Sequence, residues 1–235
     1  MSLLTDRASI LREFFRLVNA DSDDDDLIEH DATTLEGAYE ALDVGVRRAQ
    51  LYLISTGQGA TWLKTGSALT VTGSDPNRYS SLPSDFLRLD SDPDQNRSGL
   101  VYSTGRPWGV EIDAADRQRV YGNYYWIEWS GPDGEARVRY ARAASVPSIL
   151  PEYYYRLGTL ADSTTVAMRA DDRNLIPAYA ADHAMEQSWF PGGDEQRAAI
   201  GRNLKKAQTE AFSRGRLTRR ARKVQSHPSR GQWIV

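Results

Sequence analysis

The chain has 235 residues, a mass of 26.3 kDa and a formal net charge of −3. With 40% hydrophobic and 26% charged residues, its composition is that of a globular protein and excludes wholesale disorder. At roughly 100–200 residues per domain, the length allows one sizeable domain or a helical body with a smaller inserted module. No cysteine is present, which excludes disulfides, thiolate metal sites and a cysteine nucleophile.

The charge is unevenly distributed along the chain. Residues 1–46 hold twelve acids and three bases, whereas residues 201–235 hold ten bases and one acid. The small average charge therefore conceals an acidic beginning and a basic end, a pattern that favours charged partners.

The first predicted element is a helix within the first twenty residues, capped by Thr5 or Asp6. Its apolar residues recur at helical spacing: Ile10, Leu11, Phe14, Phe15 and Val18. Residues 21–26 hold five acids in six positions, which predicts a solvated loop. A second helix is predicted to begin near Thr33, and its apolar stripe runs to Leu53.

From Thr61 to about Tyr140 the pattern is typical of short strands and turns. The clearest hairpin pairs residues 124–129 with residues 136–140. Alternation along these strands predicts a core face: Tyr125, Ile127, Trp129, Val138 and Tyr140. The opposite face is predicted to be a mixed aromatic and charged surface: Tyr124, Trp126, Glu128, Arg137 and Arg139.

Helical periodicity returns after Pro151. One helix is predicted over residues 172–189 and another from Asp194 to about Phe212. Residues 214–235 carry seven bases and no acid and lose this periodicity, so they are predicted to form an extended tail. Fully extended, the residues after Arg214 would reach about 70 Å.

These elements together predict an α+β fold. Two N-terminal and two C-terminal helices are expected to form a four-helix core with an inserted antiparallel β-module and an extended C-terminal tail. The predicted core comprises residues 1–60 and 151–214, the β-rich module residues 61–150, and the basic tail residues 215–235.

Motifs for catalysis and metal binding are incomplete. His183 lies one turn from Glu186, but no matching pair marks another helix, so a hydrogen-bonded histidine is favoured over a metal ligand. Residues 90–94 resemble the first half of a calcium loop, yet Gln95 and Val101 occupy the glycine and glutamate positions. We therefore expect no enzyme, no metal and no cofactor, and paired carboxylates alone lend a glycosidase no support.

The sequence also lacks the signals of membrane insertion. No apolar run approaches the ~18 residues that span a bilayer, and the first fifteen residues contain no apolar signal-peptide core. We expect a soluble, unprocessed chain with no membrane partner.

The basic end is the strongest local signal. Its candidate partner-binding residues are Arg216, Arg219, Arg220, Arg222, Lys223, Trp233 and Ile234. Such a cluster can bind nucleic acid by releasing counterions, dock into an acidic groove on a protein, or remain solvated. The apolar end of the chain favours protein docking, because a purely electrostatic arm has no use for an apolar anchor.

The order of elements resembles that of the head-to-tail adaptor (connector, neck) proteins of tailed bacteriophages, especially those of podovirus type. Residues 79–88, YSSLPSDFLR, are similar to the tyrosine, leucine-proline, aspartate-phenylalanine and arginine segment that commonly opens the β-insert of that family. Residues 153–157 and 160–164 are similar to the family's exit from the sheet.

This resemblance implies a structural virion protein of the neck and tail region, assembled in the host cytoplasm. Copies would self-associate into a ring, commonly a dodecamer, that docks beneath the portal protein and extends the DNA channel. The ring would connect the capsid to the next neck or tail protein (a stopper, nozzle or tail hub), with DNA only as passing cargo. The seven residues of the basic end would bind the portal.

Two other classes of function stay open. One is a nucleic-acid-binding protein that uses the basic tail. The other is a carbohydrate-binding module in which aromatic rings such as Tyr124 and Trp126 stack on sugars.

Overall fold

The structure of the protein is a computed structural model. It describes residues 7–18, 32–91, 98–116, 121–129, 135–142, 144–158, 167–187 and 193–225, with side chains for all of these except 32–34 and 216–225. The chain divides into two compact units. The helical unit comprises residues 1–59 and 157–235, and the β unit comprises residues 60–156. The prediction of a mixed α+β protein is confirmed.

The described part of the helical unit contains the helices α1 (Arg7–Val18), α2 (Ala32–Ser55), α3 (Leu175–Glu186) and α4 (Asp194–Gln225). The two N-terminal helices are confirmed close to their predicted bounds. All five predicted apolar positions of α1 are buried. The predicted caps of α1, Thr5 and Asp6, lie outside the described residues.

Helix α3 lies against each of the other three helices. It begins at Leu175, after a single 3-10 turn over Ala170–Asp172, and is therefore shorter than predicted. Its buried side chains are mostly small: Ala178, Ala180, Ala181 and Ala184. Small side chains let helix backbones approach closely, which is what allows α3 to contact three neighbours at once.

The closest approach between α2 and α3 occurs at Gly45. A Cβ at this position would lie 2.5 Å from the carbonyl oxygen of Ile176 and 3.0 Å from the Cβ of Ala180. Such distances are too short for any side chain, so the packing of α2 on α3 requires glycine here.

The end of α4 differs from the prediction. Residues 215–225, predicted to be extended, are helical. The residues after Gly215 are mostly strong helix formers, and none is glycine or proline before residue 226. Extending an existing helix avoids the cost of nucleation, so the helix continues where its apolar stripe has ended. Trp233 and Ile234 lie outside the described residues.

The β unit holds two four-stranded sheets in its described part. The first contains β1 (Leu63–Thr65), β3 (Phe86–Leu89), β4 (Leu100–Tyr102) and β8 (Ile149–Tyr155). Strand β8 pairs antiparallel with the other three. Residues 151–156, predicted to belong to the helical core, thus fall in the β unit, where alternate residues of β8 such as Pro151 and Tyr153 are buried.

The second sheet has the order β2-β7-β6-β5. Its strands are β2 (Tyr79–Ser81), β5 (Val110–Glu111), β6 (Tyr124–Trp129) and β7 (Ala136–Tyr140). The predicted β6–β7 pairing is confirmed, with Tyr125 opposite Tyr140 and Ile127 opposite Val138. Strand β5 pairs parallel to β6, which the prediction of an antiparallel module did not include.

Both sheets contribute side chains to one apolar cluster. At its centre Trp108 is 1% exposed, with its ring 6.0 Å from that of Tyr125 and 5.7 Å from that of Tyr140. Three predicted core residues of the hairpin, Tyr125, Val138 and Tyr140, are fully buried. Trp129 is 38% exposed, so its assignment to the core was wrong.

Replacing Gly45 with alanine is expected to destabilise the helical unit, because the added methyl group must push α2 away from α3. Overpacking of this kind costs about 1–3 kcal/mol. Chemical denaturation monitored by helical circular dichroism would measure the loss of free energy of unfolding.

The matched control is Gly37→Ala in the same helix, where a Cβ would meet nothing within 4 Å. Alanine should stabilise that position by up to about 1 kcal/mol through helix propensity. Equal effects of the two substitutions would contradict the role given to Gly45.

Candidate functional site

The candidate site is α4, and one side of this helix is fixed to the helical unit. Ile200 and Ala211 are buried on that side. Tyr52 Oη donates to the carbonyl oxygen of Gln208 at 2.8 Å, and Gln58 Nε2 donates to that of Ala211 at 3.0 Å. These bonds are made between α4 and residues in or just after α2, so they fix both the position and the rotation of α4.

A tyrosine pair supports the same contact. Gln208 Nε2 donates to Tyr179 Oη at 2.8 Å, and the ring of Tyr179 lies 6.4 Å from that of Tyr52. Burial raises the pKa of both phenols. Both therefore stay neutral at physiological pH, and Tyr52 keeps the proton that it donates to α4.

The last described side-chain anchor of α4 is Arg214. Its Nη2 donates to the carbonyl oxygen of Asp171 at 2.7 Å and lies 3.2 Å from Asp172 Oδ1. The side chain of Asp172 is only 6% exposed, and a buried carboxylate requires such a partner. Gly215 is also buried, so the fixed part of α4 extends to this residue.

The five predicted docking bases, Arg216, Arg219, Arg220, Arg222 and Lys223, all lie in the last turns of α4. At 100° per residue, positions 216, 219, 220 and 223 share one side of the helix and position 222 lies off it. A helix rises about 1.5 Å per residue, so the ten steps from 215 to 225 cover about 15 Å. Over these residues the chain is therefore much shorter than the extended form from which the reach of about 70 Å was predicted.

A cluster of charged side chains connects α2 and α3, and the sequence alone singles out two of its members, His183 and Glu186. Arg48 lies 3.5 Å from Asp182 Oδ2 and 2.8 Å from Glu186 Oε2, while His183 Nδ1 lies 3.6 Å from Glu186 Oε2. The hydrogen bond from Arg48 lowers the pKa of Glu186, whereas burial raises that of Asp182. The group joins α2 to α3 through ion pairs.

Metal binding finds no support in the described part of the chain, where no group of three or more suitable side chains occurs. In the calcium-like stretch, Asp90 Oδ1 accepts a hydrogen bond from Tyr154 Oη at 2.9 Å. Asp92 and Asp94 lie outside the described residues.

The segment similar to the opening of the adaptor β-insert forms the entry to β3. Phe86 begins the strand and is 3% exposed. Asp85 accepts a hydrogen bond from Tyr153 Oη at 2.9 Å and pairs with Lys64. Through these contacts Asp85 joins β1 and β8 to the start of β3.

The outer face of the second sheet combines aromatic rings with arginines. The guanidinium carbons of Arg137 and Arg139 lie 5.0 Å and 5.2 Å from the ring centroid of Tyr79. Arg139 also pairs with Glu128 at 2.6 Å. Trp126 and its neighbour Tyr124, the candidates for sugar stacking, are only half exposed, which reduces the ring surface open to a sugar.

Sequence reasoning missed the pair of Asp172 and Arg214, because 42 residues separate them and no spacing rule links them. It also missed the exposed side of α4, where Phe212 is 42% exposed. A helical-wheel projection continued past Phe212 would have placed this residue beside the docking bases.

No family model matches the sequence, and no curated protein matches it. Among the described residues, no helix combines the length and the apolar character needed to cross a bilayer.

Replacing Asp85 with asparagine is expected to weaken the β unit at neutral pH. Burial by itself would raise the pKa of Asp85, but the hydrogen bonds from Lys64 and Tyr153 outweigh it, and the net pKa is lowered. The ionised carboxylate of Asp85 therefore contributes its full stabilisation above the ordinary aspartate pKa, about 3.9. This contribution is lost as the pH falls through the lower pKa that Asp85 has in the folded protein.

The measurement is the denaturation midpoint of both proteins from neutral pH to pH 2. The difference between wild type and Asp85→Asn should be largest at neutral pH and shrink below about pH 4. A difference independent of pH would show that the charge of Asp85 contributes nothing.

Proposed function

We propose that this chain is a head-to-tail adaptor of a tailed bacteriophage, a structural protein of the virion neck and not an enzyme. Copies form a ring, in this proposal a dodecamer, that docks beneath the portal protein and continues the DNA channel. Its other side meets the next neck or tail protein. The four helices are proposed to act as one core that carries the β unit, and assembly takes place in the host cytoplasm.

The observation that carries the proposal is the form of α4. Contacts at Gln208, Ala211 and Arg214 fix the helix to the helical unit, and it then continues to Gln225 with five bases in its last ten residues. A rigid base with a charged helical end suits attachment to a neighbouring protein, since little conformational freedom is lost on binding.

Charge indicates the chemistry of the partner. Arg216, Arg219, Arg220 and Lys223 share one side of α4, so an acidic groove of the portal would meet four positive charges in a row. Trp233 and Ile234 would add an apolar anchor near the end of the chain. Acidic residues in the N-terminal part would keep the channel from gripping passing DNA, because like charges weaken phosphate contact.

Nucleic-acid binding is the second candidate, and the charge of α4 favours it. The helix contains ten bases and three acids, and a basic helix can bind phosphates without reading sequence. The two proposals differ in their dependence on salt and in the partner that saturates binding. A carbohydrate-binding module loses support from the partial burial of Tyr124 and Trp126.

Ending the chain after Gly215 is expected to abolish binding to portal rings of the same phage. The truncated protein keeps every described side-chain anchor of α4, so its melting temperature should change by no more than a few degrees. Sedimentation of protein mixed with portal rings, followed by electron microscopy of the complexes, measures attachment.

The control is a titration of the intact protein with duplex DNA at two salt concentrations. Loss of portal attachment with little DNA affinity in the intact protein supports the adaptor. Unchanged attachment after truncation overturns the docking role of the basic end, and failure of the intact protein to attach overturns the adaptor proposal.

A further inference from the structure

The described side chains of α4 include a row of exposed residues that precedes the basic end. Arg202, Lys205, Thr209 and Phe212 follow one another at intervals of three or four residues, and all four are exposed. Ile200 and Ala211, which anchor the helix, lie on the opposite side. The row therefore faces away from the core of the helical unit.

The same side of the helix continues into the basic end. At 100° per residue, positions 216, 219, 220 and 223 fall on the side already occupied by Arg202, Lys205 and Phe212. From Arg202 to Lys223 the row spans about 32 Å. We call it the basic ridge: Arg202, Lys205, Thr209 and Phe212, continued by positions 216, 219, 220 and 223.

The charge of this ridge is of one sign. Between residues 201 and 225 the sequence holds a single acid, Glu210, which is half-buried and lies about 120° away around the helix. At the middle of the ridge stands Phe212, 42% exposed. Aromatic residues and arginine are enriched at protein interfaces, and the ridge combines the two.

We propose that the basic ridge docks as a preformed helix into an acidic groove of a partner protein, with Phe212 in an apolar pocket at the groove's centre. The inference rests on the adaptor function proposed above and assigns the groove to the portal. It moves the centre of the docking site from the last residues of the chain to the fixed part of α4. This is helix-in-groove recognition, in which residues at i, i+3, i+4 and i+7 supply the anchors.

Phe212 favours a protein over a nucleic acid as the binding partner of the ridge. Phosphate contacts need donors and positive charge, which the bases alone supply. An apolar ring between them gains nothing from a phosphate backbone, whereas a protein groove can bury it. The rigid anchoring of α4 through Gln208, Ala211 and Arg214 also presents the ridge in one orientation.

The test uses the full-length protein and portal rings of the same phage, with affinity measured at two salt concentrations. We expect Phe212→Ala to weaken binding about tenfold or more at both. Arg202→Glu with Lys205→Glu should weaken it at least as much, most strongly at low salt. The neutral pair Arg202→Gln with Lys205→Gln should give a smaller loss of the same kind.

Matched controls are Tyr121→Ala, an exposed aromatic of the β unit, and Arg12→Glu, an exposed base of α1. Neither lies on the ridge, so both should bind as the wild type does. All substituted positions are exposed, and thermal melts will establish that each variant folds.

Each outcome bears on a different claim. Unchanged affinity in the Phe212 and Arg202/Lys205 variants, together with loss on truncation after Gly215, overturns the ridge and leaves the adaptor proposal standing. No binding by the wild type overturns the adaptor proposal itself. If the charge variants lose duplex DNA affinity while Phe212→Ala keeps full portal affinity, the ridge is a nucleic-acid surface and the inference fails.

Discussion

The orientation of the last helix depends on a contact made far from it in the sequence. Because Gly45 has no side chain, the backbone of α2 comes to rest against the carbonyl of Ile176 in α3. That approach sets where the end of α2 lies, and with it Tyr52 and Gln58, whose side chains donate to backbone carbonyls of α4. One missing methyl group thereby positions a helix that starts almost 150 residues later.

The β unit is built on a different principle. Its strands are short, and several have fewer than five residues, so pairing alone would hold them weakly. Stability comes instead from an apolar cluster to which both sheets contribute: the ring of Phe86 in β3 lies 5.7 Å from that of Trp129 in β6, and Trp108 packs on Tyr125 and Tyr140 of the second sheet. Strand β8 adds a long central partner for β1, β3 and β4. Each sheet therefore needs the other to bury its aromatic residues.

Local patterns in the sequence were sufficient for α1, α2 and the β6–β7 hairpin. In α1 the apolar spacing is strict, and in the hairpin alternation fixes which side chains face the core. Trp129 breaks this rule because the core ends before the hairpin does, so a correctly facing residue is still 38% exposed. How far the core extends is a tertiary property that strand alternation does not encode.

The end of α4, which is proposed to dock, was harder to predict for two physical reasons. The apolar stripe ends near Phe212, which predicts the end of the helix, although helix propensity and an existing nucleus are enough to continue it. The pairing of Asp172 with Arg214 depends on how a 3-10 turn meets α4, which no local pattern contains. The identity of the bases was evident from sequence, but their arrangement was not.

The helical form of residues 215–225 has a consequence for how this chain can vary in length. Each residue inserted into a helix rotates everything after it by about 100°. One added residue between Arg214 and Arg216 would turn the following bases off the side that carries Phe212, whereas adding seven residues, close to two full turns, would return them to it. An extended tail would tolerate any such insertion. Because residues 215–225 are helical, the side of α4 on which the bases lie depends on how many helical residues precede them, and it repeats about every seven residues.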